Sequence, residues 1–336
     1  MSMVRQTHLA WPARTALLLA ALWFFGAGPA AADEITDVFD AVLELTAKIP
    51  ADARTARGLG TFRRGSGILI DDAGLVLTIG YIVLESNEIN LFRPDGTRVR
   101  ADFVAYDYDT GFGLVRARDP LGVKPIKIGD SSQLEERHRV LVASSGGREN
   151  AIGAVVVSRR PFAGYWEYLL ENAIFTAPMH NNWGGAALIS NSGELLGVGS
   201  LFVRDAVRGG RPVAGNMFVP INLLKPIFGD LLTTGRSGGP LKPWLGLFSQ
   251  EMLNLVVVSW VSPDGPAEEA GLLRGDVIIA VGDTSVSKQI DFYRAVWAQG
   301  EAGTDIRLKI IRDGATLEVT VHSGSRYDFI DPDTSY

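Results

Sequence analysis

The chain has no cysteine. That excludes thiol nucleophiles, thiolate metal centres and a disulfide framework together, so stability must come from packed cores. With 336 residues and 46% hydrophobic content the chain can build two or three of them. It also lacks a strong charge bias: the formal net charge is −6, and no basic stretch is interleaved with aromatics. Nucleic acid is therefore not an expected partner. Histidine is scarce, with four in the chain. His8 falls in the N-terminal segment and His322 near the end of the last unit, leaving His138, read as a surface residue, and His180, read as a loop residue. No cluster of His, Asp and Glu at ligand spacing accompanies His180, and neither a metal nor another cofactor is expected.

Long hydrophobic runs are missing too, with one exception in residues 1–32. There Arg5 and Arg14 precede an apolar run from Ala16 to Ala27, and Ala30-Ala31-Ala32 supplies small residues before Asp33. This is the layout of an export signal. The run is short for a membrane span of about 20 residues. Cleavage and a periplasmic or otherwise exported location are expected, with an uncleaved membrane tether as the other reading.

From Asp33 to Lys48, Val38, Phe39, Val42, Leu43 and Leu45 recur mostly at intervals of three and four, which predicts a short helix ended by Pro50. With the linker-like residues up to 60, this makes an N-terminal segment over 33–60. Residues 61–233 change character to short β-branched runs separated by turn residues, the pattern of an all-β barrel or sandwich. Pro94-Asp95-Gly96 and Asn191-Ser192-Gly193 mark hairpins, and a helical stretch is expected over 221–233. Residues 234–243 are dense in Gly and Pro and read as a linker. Residues 244–323 read as a self-contained unit of strands with one helix over 290–299, and 324–336 as a polar tail expected to fray.

Asn181-Asn182-Trp183-Gly184-Gly185-Ala186-Ala187-Leu188 is a glycine-rich corner leading into a strand. Such a corner can present a side chain to a cleft and aim backbone N–H groups at a developing oxyanion. The side chain presented is Trp183, and an indole has one donor and no lone pair for attack on a carbonyl.

In order and spacing, several stretches resemble the HtrA/Deg family of exported serine proteases over residues 62–322. They are Gly65-Ser66-Gly67-Ile68, Leu77-Thr78-Ile79-Gly80-Tyr81-Ile82-Val83, Asp107-Tyr108-Asp109-Thr110-Gly111-Phe112-Gly113-Leu114-Val115, Ile128-Gly129-Asp130-Ser131 and the Trp183 corner. The resemblance implies a mainly β fold, a chymotrypsin-like double β-barrel followed by an α+β PDZ domain. It places the family's catalytic histidine at Tyr81, its aspartate at Gly111 and its serine at Trp183. A phenol with a pKa of about 10 is not a near-neutral base, Gly111 has no side chain to orient one, and Trp183 removes the nucleophile. The resemblance therefore implies a pseudoprotease with no catalytic residue left. Gly235-Arg236-Ser237-Gly238-Gly239-Pro240-Leu241 repeats the family's serine signature, but inside the linker, where a flexible connection is the expected reading.

Trp244-Leu245-Gly246-Leu247 resembles the carboxylate-binding loop of a bacterial PDZ domain, in which successive N–H groups form a nest and the ligand adds as a strand. Lys242 adds nearby positive charge. Phe292, Tyr293 and Val296 are offered to a hydrophobic pocket, with core packing as the alternative for Phe292 and Val296. The expected function is an adaptor or regulator that binds polypeptide C-termini or extended peptides. Homo- or hetero-oligomers with HtrA-like subunits are implied by the resemblance, Phe39 and its helix being a candidate contact. The rival readings are a working endopeptidase using Ser237 or Ser192, and a structural envelope protein.

Overall fold

The computed structural model describes residues 38–207, 209 and 211–330; the expected export signal over 1–32 and residues 331–336 of the tail lie outside the described residues. Six strands, β1 (Val42–Lys48), β2 (Phe62–Leu69), β3 (Leu75–Ile79), β4 (Glu88–Phe92), β5 (Arg98–Tyr106) and β6 (Phe112–Ala117), close a barrel in the order β1-β2-β3-β6-β5-β4. Six more, β7 (Arg139–Ala143), β8 (Ala151–Gly164), β9 (Tyr168–Ala177), β10 (Ala187–Ile189), β11 (Leu195–Val203) and β12 (Gly215–Pro220), close a second in the order β10-β11-β12-β9-β8-β7. Turn chemistry sets the hairpins as the sequence predicts. Gly96 takes φ +83° while Asp95 Oδ1 accepts the Thr97 N–H at 2.8 Å.

Of the predicted helix over 33–48, residues 33–37 lie outside the described residues, 38–40 are helical, and 42–48 are instead the strand β1. Over so short an apolar run the helical and extended periods cannot be told apart, and pairing partners decide. Val42–Lys48 pairs antiparallel with residues 62–68 of β2, and Glu44–Lys48 with residues 88–92 of β4. Without β1 the first barrel would leave two open edges. Phe39 is buried in the barrel core, so it is not the exposed contact that the helix suggested. The barrel thus begins before residue 61, and the presumed linker is pinned to it. Its helical turn α1 (Ala56–Leu59) follows Thr55, whose N–H donates at 2.7 Å to the buried carboxylate of Glu85.

The stretch expected to be helical over 221–233 is a 3-10 turn at Ile221–Leu223 followed by α2 (Phe228–Thr234). The C-terminal unit contains β13 (Leu247–Met252), β14 (Leu255–Val261), α3 (Pro266–Glu269), β15 (Val277–Val281), β16 (Thr284–Ser285), α4 (Gln289–Trp297), β17 (Asp305–Arg312) and β18 (Ala315–His322). Its sheet order is β13-β14-β15-β17-β18, with β16 beside β15. Helix α4 buries Phe292 and Val296 against Leu245, Leu247 and Ile278, and Leu169 of the second barrel joins the same core.

The tail does not fray over its described part. Trp244 and Gly324 exchange backbone hydrogen bonds of 3.0 and 2.9 Å. Helix α5 (Arg326–Phe329) then sends Tyr327 edge-on to Tyr108 at 4.6 Å, and Tyr108 stands edge-on to Tyr106 at 4.5 Å. The Tyr108 hydroxyl donates to the Ile330 carbonyl at 2.8 Å. Read one residue at a time the tail is polar; its aromatic ring finds its partners only in three dimensions.

Candidate functional site: a filled cleft and a filled nest

The Trp183 corner is held by backbone contact with β2. The Ser66 N–H donates to the Gly184 carbonyl at 2.8 Å, and the Gly185 N–H to the Gly199 carbonyl at 2.8 Å. Gly185 has φ +75°, and a Cβ there would lie 1.9 Å from the Ser66 carbonyl oxygen. Only glycine fits that approach.

The corner is packed against the 3-10 turn Gly80–Ile82 that carries Tyr81, since a Cβ on Gly184 would lie 2.9 Å from the Tyr81 hydroxyl. That hydroxyl donates to the Ser200 carbonyl at 3.0 Å. Burial pushes the Tyr81 phenol well above its ordinary pKa, opposed in part by the nearby Trp183 side chain. The Trp183 ring stands 5.9 Å from that of Phe202. Gly111 sits on the other side of the turn, its carbonyl accepting the Gly80 N–H at 2.8 Å. The space beside it belongs to Tyr168, whose hydroxyl donates to the Thr110 carbonyl at 2.6 Å and lies 3.4 Å from where a Gly111 Cβ would be.

Tyr81, Gly111 and Trp183 are thus brought to one place at the junction of the barrels. The described imidazoles are engaged elsewhere. His180 accepts the Asn182 N–H on Nδ1 at 3.0 Å, which leaves its Nε2 hydrogen to be donated to the Asn150 carbonyl at 2.8 Å. Buried as it is, His180 orders the approach to the corner. His138 Nδ1 accepts the Glu135 N–H, and His322 contacts Asp305.

Ser237 Oγ donates to Asp107 Oδ1 at 2.8 Å, and the other oxygen of Asp107 accepts from Thr110. This serine tethers the linker to the first barrel and lines a cavity of about 330 Å³ between the barrels and the C-terminal unit. Ser192 lies in an exposed turn, 2.8 Å from Ser190 Oγ.

The second site is the loop Trp244–Leu247. Its N–H groups converge on a carboxylate from the turn between β8 and β9. Glu167 Oε2 accepts from Leu245 at 2.9 Å, while Oε1 accepts from Gly246 at 2.8 Å and Leu247 at 3.0 Å. Gly246 takes φ +76° in forming this concave nest. Burial pushes the Glu167 carboxyl up, opposed by the Arg326 charge and by the three N–H donors. Along the same edge, the Ser249 N–H of β13 donates to the Tyr165 carbonyl at 3.0 Å. Tyr293 and Gln289 of α4 donate to the Gly164 carbonyl at 2.7 and 3.3 Å.

Two family descriptions match the chain: Trypsin-like peptidase domain over residues 65–198, and PDZ domain over residues 243–322. The chain is a trypsin-like peptidase domain followed by one PDZ domain. It is 29% identical over 280 residues to a "Probable periplasmic serine protease do/HhoA-like" of Haemophilus influenzae, covering 79% of this chain and 58% of that protein. It is 28% identical over 272 residues to the "Periplasmic pH-dependent serine endoprotease DegQ" of Escherichia coli K12, covering 76% and 58%. The chain therefore spans about 58% of the length of these curated relatives. Among solved structures, "HtrA-type protease AlgW with decapeptide" has a TM-score of 0.54 at 19% identity, covering 88% of this chain and 98% of that one. The "serine endoprotease from Yersinia pestis" has a TM-score of 0.51 at 20% identity, covering 89% and 99%. These likenesses are in fold.

Within the PDZ domain, the expected binding residues separate. Leu245, Gly246 and Leu247 form the nest through their backbones, while Phe292 and Val296 lie fully buried in the domain core. Trp244 braces the loop from behind, its ring 4.5 Å from that of Phe329. Lys242 does not serve the nest as its sequence position suggested. Its ammonium lies 3.1 Å from Asp109 and 4.4 Å from the centre of the Trp297 ring, because a carboxylate of the first barrel and the aromatic face at the end of α4 together attract it. Sequence reasoning missed Glu167, Tyr165 and Gln289. The only local signal was an acidic residue ending an aromatic turn, Tyr165-Trp166-Glu167.

Proposed function

We propose that this chain is an exported HtrA-like pseudoprotease, a barrel that does not cleave peptide bonds and that works through recognition of polypeptide by its PDZ domain. One observation carries the reading: the nucleophile corner presents the indole of Trp183 and packs against the phenol of Tyr81 at the base position, whose hydroxyl is spent on the Ser200 carbonyl. The indole has no lone pair to attack a carbonyl, and a phenol held above its ordinary pKa is not the near-neutral proton acceptor that acyl transfer needs. Export is supported by the periplasmic relatives and by the N-terminal signal pattern. Assembly with further HtrA-like subunits is proposed on the same likeness. The rival peptidase reading would rest on Ser237, but its partner is Asp107 and no described imidazole reaches it.

Incubation of the purified chain with an unfolded protein substrate is expected to yield no fragments above a buffer control. Fragments that disappear in Ser237→Ala or Ser192→Ala would contradict the proposal. A structural envelope role is set against PDZ recognition by peptide binding: a saturable isotherm for peptides with a free C-terminal carboxylate excludes a purely structural part.

A further inference from the structure

We infer that the PDZ nest already holds an internal ligand, the turn Gly164–Glu167 of the peptidase domain, and that a free polypeptide C-terminus binds only by displacing it. This rests on the proposed recognition of peptides by the PDZ domain and names what regulates that site.

The argument is one of register. A chain added to a sheet edge alternates, so carbonyls two residues apart point the same way and meet N–H groups two residues apart on the neighbouring strand. Here the nest ends at Leu247 and the next inward N–H used is that of Ser249. On the occupant, Glu167 fills the nest and Tyr165, two residues earlier, supplies the carbonyl to Ser249. The side-chain carboxylate of Glu167 thus stands where a terminal carboxylate would stand, and Tyr165 where the residue two before the terminus would be. The far side of the groove responds as it would to a peptide, with Tyr293 and Gln289 donating to Gly164.

The occupant is also clamped from outside. Arg326 of α5 donates to the Trp166 and Glu167 carbonyls at 2.6 and 3.2 Å. Arg294 of α4 reaches Glu171 of β9, with Nε 3.0 Å from Oε1. A carboxylate with three N–H partners inside a protein is expensive to leave half satisfied, so the nest is either closed on Glu167 or filled by an equivalent group. The ligand class follows from the occupant: a peptide with a free terminal carboxylate and an aromatic residue two positions before it, to take the place of the Tyr165 ring 5.7 Å from Phe248.

The test uses the whole chain with two readouts. In the wild type, amide hydrogen exchange at Leu245, Gly246 and Leu247 is expected to be protected. In Glu167→Ala it should be at least tenfold faster, while the PDZ core amide of Ile310 is unchanged, which shows that the domain remains folded. Glu171→Gln, on the same interface but outside the nest, should leave the three amides as in wild type. The second readout is binding of an acetylated Gly-Tyr-Trp-Val tetrapeptide, as free acid and as C-terminal amide. The acid is expected to bind Glu167→Ala at least tenfold more tightly than wild type, and the amide neither. Unchanged protection of the three amides in Glu167→Ala, or equal affinity of the acid for both chains, overturns the internal ligand. Faster exchange without binding of the acid to either chain leaves the internal ligand standing and removes the peptide-recognition reading instead.

Discussion

The Trp183 corner and the Leu245–Leu247 nest are both glycine-bearing loops, and each is filled in a different way. At the Trp183 corner the filler is local: the motif position itself carries an indole, and the Tyr81 ring packs against Gly184. At the Leu245–Leu247 nest the filler comes from another domain, and it is a carboxylate that satisfies the N–H groups. On the proposed reading, aromatic filling removes a chemistry, whereas a carboxylate in the nest preserves the chemistry and makes it competitive. The two loops also differ in crowding. A Cβ on Gly185 would strike backbone at 1.9 Å, whereas one on Gly246 meets nothing nearer than 3.2 Å, on the Trp244 side chain.

That difference gives the largest expected effect. Gly185→Ala should destabilise the peptidase domain by about 4 kcal/mol in urea unfolding, because both the left-handed backbone and the clash with Ser66 oppose it. Gly246→Ala, with the same backbone requirement and looser surroundings, should cost only about 1–2 kcal/mol. Equal losses at the two positions would break the comparison. Next in size is Tyr81→Phe, which removes the 3.0 Å bond to the Ser200 carbonyl and leaves that buried acceptor to find another donor. A loss of about 1 kcal/mol is expected by the same unfolding measurement, with no hydrolytic activity gained.

The smallest effect separates donor number from burial. Asp130, like Glu167, accepts several hydrogen bonds, but it is exposed, and the Ser132 hydroxyl, Asn222 side chain and Ser132 N–H hold its carboxyl down at about 2. Its folded pKa lies below the ordinary aspartate value, so its contribution is present at neutral pH and is lost as pH falls through about 2. Carboxyl NMR titration should place its midpoint there, and both Ser132→Ala and Asn222→Ala should raise it. In Glu167 burial works in the opposite direction; an Asp130 midpoint at the ordinary value would mean that N–H and hydroxyl donors count for less here than the contrast assumes.

What could be read from the chain follows the range of the interactions. Pro94-Asp95-Gly96 and the repeated short runs announced a barrel, because turn chemistry is local. The positions proposed as degenerate, Tyr81, Gly111 and Trp183, could be named because each sits within its own motif. β1 was not, since Val42 to Lys48 owes its extended form to edges offered by β2 and β4. Nor was the tail, whose Tyr327 meets Tyr108 from more than two hundred positions away. The nest was legible from Trp244-Leu245-Gly246-Leu247, but its occupant was not. Glu167 lies 78 positions before Leu245, in a turn that by itself reads as exposed and aromatic.

The most direct test of the central claim is labelling of the purified full chain with an active-site-directed fluorophosphonate, with the modified residue mapped by peptide mass spectrometry. The account predicts no labelled serine, because the corner holds Trp183 and the described imidazoles are bonded to groups other than Ser237 and Ser192. Stoichiometric labelling of Ser237 or Ser192, abolished by replacing that serine with alanine, would contradict it.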